Sequence, residues 1–137
     1  MSSSKTPYIN FSEFEGKCGY RFHNRKLLTE ALTHSSYANE GKRSSHNNER
    51  LEFLGDSVLS IVVSEFLFKK YPNIPEGELS KLRASLVCEQ SLFEFAKQID
   101  LNHYILLGKG EENTGGRERP SIVSDAFEAV IAAIFLD

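Results

Sequence analysis

Apolar residues recur along this chain in steps of three and four, the period of an α-helix. Leu27, Leu28, Ala31 and Leu32 share one face of a predicted helix, and Asn24 is placed to cap it. Ser12 followed by Glu15 reads as a capping box for a short first helix. A long helix is predicted from about Asn48 to Tyr71, where Pro72 stops it. A further helical region runs from about Gly77 to Ile99, with a break near Cys88, and Pro120 suits the first turn of a last helix that continues to Asp137. Residues 39–48 and the glycine-rich stretch 108–119 read as polar loops, the second a candidate mobile contact loop. The alternation of strands is missing. The pattern predicts an all-α domain. The helix from Asn48 to Tyr71 is apolar on nearly all sides, which places it in the middle of the core.

Composition narrows the class. The 137 residues suit one domain, and 40% hydrophobic with 26% charged residues is ordinary for a soluble globular protein. No apolar run approaches the ~20 residues that span a membrane, and Met1 to Asn10 lacks the apolar stretch of a signal peptide. Cys18 and Cys88 show no zinc spacing with the histidines and read as free thiols, which points to a reducing, cytoplasmic setting. The chain stops inside an apolar helical pattern without a terminating glycine or proline, so it is expected to be a fragment of a longer protein. The net charge of −3 argues against a nucleic-acid partner. That objection weakens if Glu49, Glu52, Asp56, Glu76, Asp125 and Glu128 bind cations. These six take −6 of the total −3, which leaves +3 on the rest.

Those acids sit where acids are costly. Glu49, Glu52 and Asp56 fall on one face of the most apolar helix, within about 60° of one another. Asp125 and Glu128 repeat the pattern in the last helix, among Ile122, Val123, Ala126, Phe127, Val130 and Ile131. Buried charge must be paired or coordinate a metal. Clustered carboxylates suit a hard divalent cation, above all magnesium, which accepts a few carboxylates and keeps water or phosphate oxygens as further ligands. Four carboxylates from two helices would make a phosphodiesterase-type site. The competing reading is neutralisation by Arg50, Lys81, Arg83 or the Arg117/Arg119 pair, and spacing alone leaves both open.

Other residues invite lesser roles. His34 with Ser35 and Ser36, and Ser57 after Gly55-Asp56, lack the strand-turn-helix setting of a serine nucleophile. His34 is expected to hydrogen-bond at a helix end, and Gly55 to allow close helix packing that brings Asp125 near Asp56. Lys81, Arg83, Lys109, Arg117 and Arg119 are candidates for phosphate contact. Residues 108–116 lack Gly-Lys-Ser/Thr, so no nucleotide cofactor is expected. Phe93, Phe95 and Phe127 lie in helical stripes and are expected in the core.

The segment Asn48-Glu49-Arg50-Leu51-Glu52-Phe53-Leu54-Gly55-Asp56-Ser57-Val58-Leu59 resembles the signature of the ribonuclease III family. Ala31-Leu32-Thr33-His34-Ser35-Ser36-Tyr37 before it, Glu76-Gly77-Glu78-Leu79-Ser80-Lys81-Leu82-Arg83-Ala84 after it, and Ser121 to Ala129 are similar to further family segments in the same order. The resemblance implies a helical bundle around a central, buried signature helix. It implies a homodimeric endoribonuclease that cuts both strands of double-stranded RNA and leaves short 3′ overhangs. Magnesium, for which manganese can substitute, would be held by Glu52, Asp56, Asp125 and Glu128, with Asp56 and Glu128 as the essential catalytic acids. Glu49 and Glu76 match cleft acids of secondary role, and Phe53 an aromatic that plugs a pocket of the partner protomer. Ribosomal RNA precursors, with processing or decay of other structured RNAs, are the expected task. Bacterial members continue into a double-stranded-RNA-binding domain to which nothing here corresponds, so residues 1–137 are expected to be the catalytic domain alone. The alternative is a module of the same fold that grips structured RNA or a ribosome without cutting.

Overall fold

A computed structural model describes residues 9–41 and 46–137. Most of the polar N-terminus and the centre of the 39–48 loop therefore lie outside the described residues. The described residues form α1 (Phe11–Cys18), α2 (Arg25–Ala31), α3 (Ser35–Glu40), α4 (Glu49–Lys70), α5 (Glu76–Val87), α6 (Glu89–Gln98), α7 (Leu101–Tyr104), α8 (Lys109–Asn113) and α9 (Pro120–Leu136). Strand-type pairing among them is confined to an isolated parallel bridge between Thr33 and Leu106. The fold is all-α, as the hydrophobic period requires. None of these helices is long and apolar enough to cross a membrane.

Several boundaries follow the sequence. Asn24 caps α2 by accepting from the Lys26 amide at 3.1 Å. Cys88 separates α5 from α6 because its ψ of 158° is extended. Other expectations need correction. Asn10 caps α1, accepting from the Glu13 amide at 3.0 Å. Glu15 is not a capping-box partner. It is buried, accepting from the Phe22 amide at 2.8 Å and from Arg25 Nη2 at 2.8 Å. The 39–48 loop starts late, since α3 runs to Glu40.

Residues 108–119 are not a mobile loop either. They hold α8 and a 3-10 turn at Gly116–Glu118. Arg117 Nη1 donates to the carbonyls of Asn102, His103 and Ile105 at 2.9, 3.2 and 2.7 Å while its Nε meets Glu112. Arg119 pairs with Glu111.

The larger correction concerns α4. It buries only Leu51, Gly55 and Leu67, while Phe53, Ile61, Val62, Phe66 and Phe68 are exposed. The central buried helix is α9, which hides eight residues and packs along α4 more extensively than any other pair of elements does. Phe93 is in the core and Phe127 packs against it, but Phe95 faces solvent. At its far end α9 is clasped by Asp137, whose carboxylate accepts from Tyr20 Oη, the His23 amide and the Asn24 amide at 2.7, 2.8 and 2.7 Å.

Candidate metal centre

Where α4 crosses α9 there is no room for a side chain at residue 55. A Cβ on Gly55 would lie 1.8 Å from the Glu128 carbonyl oxygen. The two backbones touch there, which draws together Glu128 and its neighbour across the contact, Asp56, with Glu52 and Asp125 one turn before them on each helix. Glu52, Asp125 and Glu128 can each offer an oxygen so that all three atoms lie within 4.8 Å of one another. Asp56 stands outside that trio but shares a hydrogen bond with Glu128, while Glu52 shares one with Asp125. Two carboxyl pairs thus bridge the crossing.

Their protonation shows how crowded the negative charge is. Burial, then the hydrogen bond and charge of Asp56, push the Glu128 carboxyl up to about 8. Burial, then the charges of Glu52 and Glu89, raise Asp125 to about 6. Glu52 is also raised, by burial and then by Asp56 and Glu49. Among the described residues no basic side chain comes within ion-pair distance of these four acids. Arg117 and Arg119 are committed to Glu112 and Glu111, and Arg83 donates to the Ser64 hydroxyl at 3.0 Å. The salt-bridge reading of the cluster is therefore disfavoured. The donor set is all oxygen, with no sulfur or imidazole, and fits a hard divalent cation.

The remaining candidates fall outside the trio. Glu49 caps nothing and lines an open groove with Arg50 and Phe53. Glu76 is the first residue of α5 rather than part of a loop, and its Oε1 accepts from the Ser80 hydroxyl at 3.4 Å. His34 caps α3 through Nδ1, which accepts from the Ser36 amide at 3.1 Å. Sequence reasoning missed Glu89. It begins α6, which packs on α9, and its charge acts on Asp125. The only signal for it was an acid directly after the expected break at Cys88.

A pH dependence follows. In the metal-free protein Asp125 and Glu128 hold protons that the unfolded chain would release near pH 4. Their contribution to stability is complete on the acid side and is lost as pH rises through about 6 and about 8. A divalent cation must displace those protons and relieve the repulsion. The melting temperature without metal should therefore fall toward alkaline pH across this range. Magnesium should raise it more on the alkaline side. Calorimetry in two buffers of different ionisation heat should also show proton release on binding. A magnesium effect independent of pH would count against this centre.

A Ribonuclease-III-like family model matches residues 24–137. The chain is similar to Ribonuclease 3 of Anoxybacillus flavithermus, with 53% identity over 98% of this chain and 57% of that protein. Ribonuclease 3 of Bacillus cytotoxicus is 57% identical over 93% of this chain and 52% of its own length. The chain thus spans about half the length of these curated relatives. Among solved structures, the nuclease domain of ribonuclease III from Campylobacter jejuni superposes with a TM-score of 0.85 and 50% identity, covering 93% of this chain and 85% of that one. Structural flexibility is described there in a region involved in dimer formation.

Proposed function

The chain belongs to the ribonuclease III family, and on that footing we propose that it is the endonuclease unit of a magnesium-dependent enzyme that hydrolyses double-stranded RNA. The observation that carries the reading is the meeting of Glu52, Asp125 and Glu128 at the α4–α9 crossing without a basic partner among the described residues. Asp56, hydrogen-bonded to Glu128, is taken as the fourth acid. A bound magnesium ion, or manganese in its place, would polarise the phosphate and make water nucleophilic at neutral pH. The acids' own work is to hold oxygen donors in a fixed array and to give up their protons to the cation. Glu49 and Glu76 lie farther out and take secondary roles. Recognition would run through the shape, phosphates and 2′-hydroxyls of the A-form duplex. Ribosomal RNA precursors and other structured transcripts in the cytoplasm are the proposed substrates. We take residues 1–137 as the nuclease unit of a longer enzyme, which the half-length match supports.

The test is incubation of long duplex RNA with the protein, with and without magnesium. Cleavage to short duplexes only with the metal is expected. Cleavage should drop steeply as salt rises from about 50 to about 200 mM, because phosphate contacts release counterions. Binding without any cleavage would favour a module that grips RNA passively.

We propose further that two copies pair through α4. Phe53 is 78% exposed, and Ile61 and Phe68 continue the apolar surface along the same side of the helix. Beside Phe53 lies a groove of about 820 Å³ whose apolar part is Leu27, Leu51, Leu54 and Leu136 and whose rim carries polar residues, Glu49 and Arg50 among them. A two-fold axis would let each protomer's ring enter the other's groove, and burying it contributes roughly 2 kcal/mol per protomer. Light scattering should show a dimer at micromolar concentration and a shift toward monomer for Phe53→Asp. A monomeric wild type removes this part of the proposal.

A further inference from the structure

Asn48 stands immediately before α4, where a capping side chain is expected, yet its side chain makes no cap. That work falls to Asn47, whose Oδ1 accepts from the Glu49 amide at 2.9 Å. Asn48 is turned into the core, 4% exposed, and its Nδ2 donates to the Ala31 carbonyl at the end of α2 at 3.1 Å. Its main chain is engaged on both sides. The Asn48 amide donates to the Thr33 carbonyl at 2.9 Å, and the Asn48 carbonyl accepts from the Glu52 amide at 2.8 Å. Thr33 itself sits at the bridge to Leu106. The start of α4 is thereby tied twice to one segment, the end of α2 and Thr33 just beyond it, through one side chain and one peptide unit.

We infer that Asn48 is a positioning residue of the metal centre, an inference that rests on the reading of Glu52, Asp125 and Glu128 as ligands. Two points locate the first turns of α4. One is Asn48, and the other is the contact of Gly55 with the Glu128 carbonyl. Glu52 lies between them. The Gly55 contact fixes where the helices cross but acts as a pivot. It leaves the direction of the short arm from Gly55 back to Glu49 to be set by something else. Buried Leu51, the Asn48 amide's bond to Thr33 and the Asn48 side chain's bond to Ala31 set it together, and only the last depends on the asparagine side chain. Metal–ligand distances tolerate about 0.2 Å, so a small swing of that arm moves the Glu52 carboxylate out of register with Asp125 and Glu128. The side chain touches none of the acids and acts only through the helix that carries Glu52.

The experiment separates positioning from stability. Magnesium binding is measured by calorimetry without RNA for the wild type, Asn48→Ala, Asn48→Ser and Asn102→Ala, with a thermal melt of each. Asn102 is the matched control, since it is also buried, its Nδ2 donates to Glu118 at 3.1 Å, and α7 packs chiefly on α6, α9 and the 3-10 turn. Asn48→Ala should weaken magnesium binding by about tenfold, the scale seen when groups that orient metal ligands are removed. Asn48→Ser keeps a hydroxyl too short to reach Ala31, is the milder change, and should weaken binding in the same direction. Asn102→Ala should lower the melting temperature while leaving magnesium affinity unchanged. Wild-type affinity in the folded Asn48 variants overturns the inference. So does an equal loss in Asn102→Ala, and so does failure of both Asn48 variants to fold, which would make the residue a core contact only. A wild type that binds no magnesium overturns the metal-centre reading itself.

Discussion

Gly55→Ala should abolish both the metal centre and much of the stability. The added carbon would lie 1.8 Å from the Glu128 carbonyl oxygen and 2.5 Å from its carbonyl carbon, and both of those atoms are backbone. No rotamer change relieves such a clash. The helices must move apart along the most extensive packing surface in the fold. Alanine is otherwise the better helix former by roughly 1 kcal/mol, so the change has opposite signs locally and globally. Overpacking of a dense interior usually costs about 1–3 kcal/mol. A forced main-chain separation belongs with the exceptional cases above about 4 kcal/mol. Denaturant unfolding and magnesium calorimetry would measure the two effects. A variant with wild-type stability would mean that the crossing is not as tight as described.

Glu128→Gln carries the other large effect. The amide keeps the shape of the side chain but cannot release a proton to a cation or offer it a charge. It can still donate to Asp56, as the protonated carboxyl does in the metal-free protein. The fold should therefore survive, and duplex RNA should still bind without metal, since the amide is as neutral as the protonated carboxyl it replaces. Single-turnover cleavage of an RNA hairpin should fall by at least about a thousandfold, roughly 4 kcal/mol of the 8–23 kcal/mol that enzymes supply. Glu76→Gln, by contrast, should retain substantial cleavage, especially at raised magnesium. Glu76 stands at the start of α5 with Ser80 as its hydrogen-bond partner and does not join the trio. Near wild-type cutting by Glu128→Gln would show that the reacting phosphate is handled elsewhere.

These two residues also show what was legible in the sequence. A glycine and an acid, each out of place on an apolar helix, announced the crossing and the cluster before any coordinates. The long helices and the break at Cys88 were legible because apolar period and a proline stop are local signals. The burial of α4 was misread for a physical reason. An apolar surface marks what must be covered, not whether the same chain covers it, and here Phe53, Ile61 and Phe68 are left bare. The 108–119 segment was misread because its order comes from Arg117 reaching three carbonyls, a non-local contact that glycine content conceals. Asn10 and Asn48 show the same limit at helix starts. Residue type marks a side chain able to cap, but tertiary contacts choose which one does.

The contact between Gly55 and Glu128 has one more consequence, for ionic radius. Because main chain rests on main chain, the separation of the two helices that carry the acids is a property of the fold. Magnesium–oxygen distances are about 2.0–2.1 Å and calcium–oxygen distances about 2.3–2.6 Å. If the trio holds a cation, helices that cannot spread would favour the smaller ion, even though carboxylates accept either. On the proposed reading of the acids as ligands, the helix spacing that an ion would meet is set at the one residue of the crossing that has no side chain.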